Sequence, residues 1–281
     1  MSNSVFVPGH ITGFFTIENH EISLKNGSCG AGFLLSKGIR TTIDDADELV
    51  INVNQGDSTV IDEVLRILEI DTNFKITQDI QLPIGAGFGT SAASALSLSL
   101  ALNDFLDLNY PKELCGQIAH MAEVNLGSGL GDVIAQTGHG MVLRVEPGAP
   151  GIGKIESFEH DVYVAWKTFG GIDTSSIIRD PHHREVISDV GLKYLEFFEE
   201  KSSLRNFLDL SYKFSTETKL MSGEVKSLVD YLNSRDDILG SSMAMLGNTV
   251  FAFAYDKSAF ETLDIEGLHV DKLNNVGIVH D

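Results

Sequence analysis

The decapeptide Pro83-Ile84-Gly85-Ala86-Gly87-Phe88-Gly89-Thr90-Ser91-Ala92 constrains this chain more than any other stretch. A strand-like run, Phe74 to Leu82, leads into it, and a segment that is apolar or small on every face, Thr90 to Leu106, leads out. A helix of that composition is buried on all sides, so strand, turn and helix must sit inside one core. Glycines at alternate positions admit left-handed backbone and close approach to a ligand, while Thr90 and Ser91 stand where a helix cap belongs. A turn of this kind aims several N–H groups at one spot, with the positive end of the helix dipole behind them, and such a spot binds phosphate. A plain turn that lets the helix pack closely is the other reading. Two nucleotide fingerprints fail here: the P-loop needs Gly-Lys-Ser/Thr and no lysine is present, and GxGxxG does not fit a GxGxG spacing.

The remaining chain reads as mixed α and β structure. Strand-length runs occur at Val5–Val7, Gly32–Leu35, Thr41–Ile43, Leu49–Val53, Met141–Val145, near Asp161–Trp166 and at Thr249–Tyr255. Helical stripes occur at Ser58–Leu68, Leu114–Leu126, Val186–Glu200, Leu204–Met221 and Val225–Leu232. Pro147 to Gly153 is the strongest Pro/Gly punctuation and divides the chain into units 1–150 and 151–281. Forty acidic against 20 basic residues give a net charge of -20, which repels nucleic acid and anionic membrane surfaces. The N-terminus lacks a signal-peptide pattern, no apolar run spans a bilayer, and Cys29 and Cys115 are isolated thiols, so a cytoplasmic protein without a zinc site is expected.

Residues 83–92 match the central motif of the GHMP kinase superfamily, Pro-x-Gly-x-Gly-hydrophobic-Gly/Ser-Ser/Thr-Ser-Ala, and the chain resembles that superfamily in two further places. Val7-Pro8-Gly9-His10 occupies the position of its N-terminal Pro-Gly-Lys, with His10 where many relatives carry lysine. Ser242-Met243-Ala244-Met245-Leu246-Gly247-Asn248-Thr249 is a degenerate form of its C-terminal glycine-rich loop. The resemblance implies an α+β, two-domain GHMP kinase fold: an N-terminal ribosomal-S5-domain-2-like unit that binds ATP through Pro83, Gly85, Ala86, Gly87, Phe88, Gly89, Thr90, Ser91 and Ala92, and a C-terminal ferredoxin-like unit over the acceptor.

Phosphoryl transfer needs positioning, a divalent cation and often a base, and the segment His120 to Asp132 is dense in suitable groups. Glu123 lies late in an otherwise apolar helix, where an unpaired charge is costly; the resemblance places Glu123 and Ser91 at Mg2+ and makes Asp132 the base. On residues alone, Asp132 also reads as a helix N-cap before Val133–Gln136. His120 shares a helical face with Glu123. Arg144 suits a carboxylate through two parallel hydrogen bonds, or pairs with Glu146. Ser28 and Thr174 lie in small polar loops that read equally as turns.

Within the superfamily, the segments Pro8–Phe15, Gly27–Gly32, Gly129–Gln136, Arg144–Gly151 and Ala244–Asn248 are similar to those of the archaeal pantoate kinases, in which Arg often stands where this chain has Cys29. That similarity implies ATP-dependent phosphorylation of (R)-pantoate to 4-phosphopantoate, on the archaeal route to coenzyme A. The expected acceptor shell is Ser28, His120, Arg144 and Thr174, with His10 beside it; a homodimer is the family habit. A homoserine or mevalonate kinase, or a nucleotide-binding regulator without catalysis, are the competing readings.

Overall fold

The computed structural model describes residues 3–129, 131–170 and 181–281. The chain opens with β1 (Asn3–Phe15), a 3-10 turn (Ser23–Lys25), β2 (Gly30–Asp45), β3 (Val50–Val53), α1 (Thr59–Leu68) and β4 (Phe74–Ile80). Next come α2 (Thr90–Phe105), α3 (Lys112–Leu126), α4 (Asp132–Gln136), β5 (Met141–Glu146) and β6 (Lys154–Phe158). The remainder holds β7 (Tyr163–Thr168), α5 (Pro181–Glu200), α6 (Leu204–Glu217), α7 (Gly223–Asn233), β8 (Gly240–Ala244), β9 (Thr249–Ala254), α8 (Ser258–Glu261), β10 (His269–Lys272) and β11 (Val279–His280).

Two sheets carry these elements. One has seven strands, with the path β11-β1-β2-β4-β3 and β5 and β6 branching from β2; the other is four-stranded in the order β10-β7-β9-β8. The change of sheet falls after Phe158 rather than at 150, because β6 pairs antiparallel with β5 beyond the Pro/Gly segment. The chain's last strand also returns to β1. Strand β2 explains the branching: its 16 residues pair with β4 over Ile39–Asp45 and with β5 over Gly30–Phe33.

Helix α2 lies on β1 and β2 and is covered by α1 and α3, which is why Thr90 and almost every residue from Ala92 to Leu102 are buried. The serines that face the sheet are paired. Ser97 shares a hydrogen bond with Thr41 at 2.7 Å, and Ser94 donates to Gln78 at 2.6 Å, so the polar groups on the helix face that meets the sheet are satisfied inside the core. A second apolar cluster joins the far ends of β1 and β2 to the smaller sheet and to α5–α7 through Phe14, Phe33, Phe198, Phe207, Phe251 and Phe253.

The glycine loop is seated in this second cluster by one side chain. Phe88 is 1% exposed and meets Trp166 of β7 edge to face, with centroids 4.8 Å apart. Phe88 therefore joins the loop of the first sheet to the face of the second. Phe88→Ala is expected to cost about 3–5 kcal/mol, read as a lowered urea midpoint with an unchanged slope, and to weaken nucleotide binding in step.

Candidate active site

The loop ahead of α2 has the conformation its glycines permit: Gly85, Gly87 and Gly89 have φ of 71°, 85° and 59°. Gly89 is the N-terminal cap of α2, and a β-carbon there would lie 3.1 Å from the Asp132 side chain and 3.0 Å from Gln136 Nε2. The residue must be glycine both for its left-handed backbone and for the helix that crosses it. Gln136 Nε2 donates to the Gly89 carbonyl at 2.9 Å, fastening α4 to the loop. From the other side, Thr249 Oγ1 donates to the Ala86 carbonyl at 2.8 Å and the Met245 N–H to the Thr12 carbonyl at 2.9 Å. The 245–248 turn, with Leu246 in left-handed conformation at φ 61°, thus clamps the glycine loop against β1.

A cavity of about 150 Å³ opens between these pieces. Its wall is formed by Gly85, Gly87, Phe88, Gly89, Thr90 and Ser91 on one side and by Thr12, Phe15, Ser28, Ser128, Gly129, Gly131, Asp132, Arg144, Met245 and Leu246 on the other. The first amides of α2 have no intrahelical acceptor and belong to this wall, so the cleft carries a positive helix terminus at one end.

Glu123 lies behind Ser91. It is 2% exposed and accepts from Ser91 Oγ at 3.1 Å and from Ser128 Oγ at 2.8 Å. Burial raises its carboxyl to about 7, although the hydrogen bonds from Ser128 and Ser91 pull the other way. No lysine or arginine among the described residues pairs with it.

Asp132 begins α4, and its side chain does not cap the helix; Gly131 holds the cap position. The carboxylate instead accepts from His10 Nδ1 at 2.6 Å through Oδ1, and its remaining oxygen lies on the side of Gly129 in the cavity wall. Burial opposes its ionisation, but the hydrogen bond from His10 and the nearby Arg144 charge outweigh that and hold the carboxyl below its ordinary value.

Arg144 is 1% exposed, with Nε donating to the Ser28 carbonyl at 3.2 Å and a terminal nitrogen to Thr12 Oγ1 at 3.3 Å. It does not pair with Glu146, which binds Lys154 instead. Gly131 lets the chain pass over it: a β-carbon there would fall 2.2 Å from Ser28 Oγ and 2.9 Å from Arg144 Nε. A buried guanidinium with no carboxylate of the described residues in ion-pair reach is an incomplete pair facing a cavity.

Ser91, Glu123, Asp132, Ser28, Arg144 and the glycine loop are therefore gathered in one place, whereas two other expected residues, His120 and His10, are not. His120 is buried, but its Nε2 lies 3.2 Å from the Ser23 carbonyl in the 3-10 turn and the ring does not line the cavity. His10 is fully buried behind Asp132 and does not border the acceptor space. Thr174 lies outside the described residues. Sequence reasoning passed over Thr12 and Ser128, although Thr12 stands inside the quoted Pro8–Phe15 segment and Ser128 follows Glu123 by five residues.

Residues 58–140 match the family described as the GHMP kinases N terminal domain. A pantoate kinase of Methanocaldococcus jannaschii is 34% identical over 268 residues, covering 93% of this chain and 96% of that protein. A pantoate kinase of Thermococcus kodakarensis is 33% identical over 270 residues, covering 90% and 88%. Among solved structures, one described as a phosphotransferase related to the CoA biosynthesis pathway superposes with a TM-score of 0.85 at 29% identity, over 100% of this chain and 99% of that one. With its glycine loop, its buried Glu123 and its Asp132 around one cleft, the chain belongs to the pantoate kinase family of the GHMP kinases.

Proposed function

We propose that this protein transfers the γ-phosphoryl group of ATP to the terminal hydroxyl of (R)-pantoate, giving 4-phosphopantoate for coenzyme A synthesis. The observation that carries this reading is the cleft itself, where a helix-terminal phosphate loop faces an ionised carboxylate and a buried, carboxylate-free guanidinium across about 150 Å³. Pantoate presents a carboxylate and two hydroxyls. Arg144 supplies the charge for the carboxylate, and Thr12 and Ser28 supply small polar groups next to it.

Asp132 takes the proton from the attacking hydroxyl on the oxygen that His10 leaves free; the hydroxyl oxygen then bonds to the γ-phosphorus as the bond to ADP breaks. A carboxylate with a depressed pKa suffices, because a loose phosphoryl-transfer transition state asks for positioning more than for base strength. The amides that open α2 hold the phosphate oxygens. Ser91 and Glu123 fit Mg2+: their oxygens are adjacent, and Glu123 is a buried carboxylate with only two hydroxyls as partners. When bound there with ATP, the ion neutralises charge on the phosphates.

ADP release should follow addition of pantoate and not of homoserine or mevalonate; activity on either of those with none on pantoate refutes the reading. Asp132→Asn should lower kcat by roughly 10²–10⁴-fold with ATP affinity kept. Arg144→Ala should raise the KM for pantoate by about 30-fold or more while that for ATP stays near wild type. An unchanged pantoate KM removes Arg144 from the acceptor site.

Glu123 also couples function to stability. Its folded carboxyl titrates at about 7 against an ordinary 4.5, so the folded state binds more protons in that window and stability falls as pH rises through it. The full penalty, on the order of 3 kcal/mol, is present above about pH 7 and absent below about 4.5. Without Mg2+, Glu123→Gln should melt higher than wild type at about pH 8 and match it at about pH 4, with turnover lost at both.

A further inference from the structure

The bond from His10 to Asp132 leaves the other end of the imidazole in an unusual position. Nδ1 is 2.6 Å from Asp132 Oδ1, but Nε2 is buried and has no hydrogen-bond partner. The ring stands over β2 so closely that a β-carbon on Gly32 would lie 2.3 Å from Nε2. The backbone of His10 is held as well, because its N–H donates to the Phe88 carbonyl at 2.9 Å.

We infer that His10 is a positioning residue and not a proton relay: it stays a neutral imidazole with its one proton on Nδ1, fixes Oδ1 of Asp132, and so aims the other carboxylate oxygen into the cleft. A relay takes up a proton at one ring nitrogen and passes it on from the other. Here Nε2 meets neither an acceptor nor a donor, so a proton arriving at Nδ1 has nowhere to go. An imidazolium would bury an unpaired N–H at Nε2, at the full desolvation cost of that group. The charged groups facing the ring are Asp132 from α4 and Arg144 from β5; β2 sets Gly32 against Nε2 and pairs Leu34 with His10. Burial lowers the pKa of His10, the hydrogen bond to Asp132 and the Asp132 charge offset part of this, and Arg144 opposes protonation further. The charge of Asp132 is in turn felt at Glu123, from α3, whose carboxyl burial already raises. The proton accepted by Asp132 therefore leaves through the cleft, with the product.

Such a residue differs in kind from a lysine at the same place. It orders the carboxylate without adding positive charge, so among the described residues the only cation beside Asp132 is Arg144, which is committed to the acceptor. The function of His10 then reduces to one N–H at one place, and Asn can supply it, since its amide nitrogen is as many bonds from the backbone as Nδ1.

This inference rests on Asp132 being the base, and the test has one arm that does not. In ¹⁵N spectra of the free protein, with the His10 signals assigned by their loss in His10→Asn, Nδ1 should be protonated and Nε2 bare, with no titration between about pH 5.5 and 8. In pantoate-dependent turnover, His10→Asn should keep kcat within about threefold of wild type, whereas His10→Ala should lose about 10²-fold with the KM values for ATP and pantoate changing far less. Comparable melting midpoints separate these effects from misfolding. If His10 titrates in that range, or if a folded His10→Asn is as slow as His10→Ala, the ring carries protons and the inference is overturned. Absence of pantoate turnover in the wild type would overturn the proposed function, while the spectra would still decide the state of His10.

Discussion

The site depends on how β1 crosses beneath the glycine loop. The pairing of β1 with β2 shifts register between Pro8 and His10 and again between Thr12 and Phe14, and each bulge turns side chains to new directions. Between them, the His10 N–H holds the Phe88 carbonyl of the phosphate loop, the His10 ring holds Asp132, and Thr12 reaches Arg144. Three residues of one strand, His10 to Thr12, thus set the distances among the glycine loop, Asp132 and Arg144. Phe88, wedged against Trp166, passes that arrangement to the second sheet.

The electrostatics follow from how few cations are present. Between Lys75 and Arg144 the only lysine or arginine is Lys112, although that interval holds the phosphate loop, Glu123 and Asp132. In the proposed reaction a polyphosphate is therefore met by amides and a helix terminus, with two carboxylates nearby that suit a metal ion better than a lysine. The chain's charge of -20 keeps long polyanions away while a small one is held locally. Burial pushes Arg144 below its ordinary value, the charge of Asp132, beyond ion-pair reach, offsets part of that, and the hydrogen bonds to Ser28 and Thr12 leave capacity for a further partner.

What was legible in the sequence was what local pattern determines. The glycine loop, the buried α2, the helices α1 and α3, and Glu123 and Asp132 as polar residues in apolar or glycine-rich surroundings all announce themselves within a few residues. The long strands did not: β1 continues through Pro8-Gly9 and β2 through Ser36-Lys37-Gly38, where local composition signals a break and only pairing with neighbours sustains the strand. The short strands β10 and β11 gain their pairing from distant segments, and β6 and β8 from the neighbouring strands β5 and β9. His120 shows the limit of a face argument. Three residues along a helix is about 4.5 Å of rise, enough for Glu123 to face the cleft while His120 faces the 3-10 turn at Ser23. That Asp132 turns away from the cap position is likewise decided by contact with β1, which lies 122 residues earlier.

The central claim is that the cleft orients a small hydroxy acid so that its terminal hydroxyl, next to Asp132, receives the phosphoryl group. Phosphorus NMR of a reaction with ATP, Mg2+ and (R)-pantoate tests it most directly. The account predicts one phosphomonoester resonance that grows as ADP forms and is split by the two protons of the terminal carbon. A product phosphorylated at the secondary hydroxyl, or ADP accompanied only by inorganic phosphate, would contradict it.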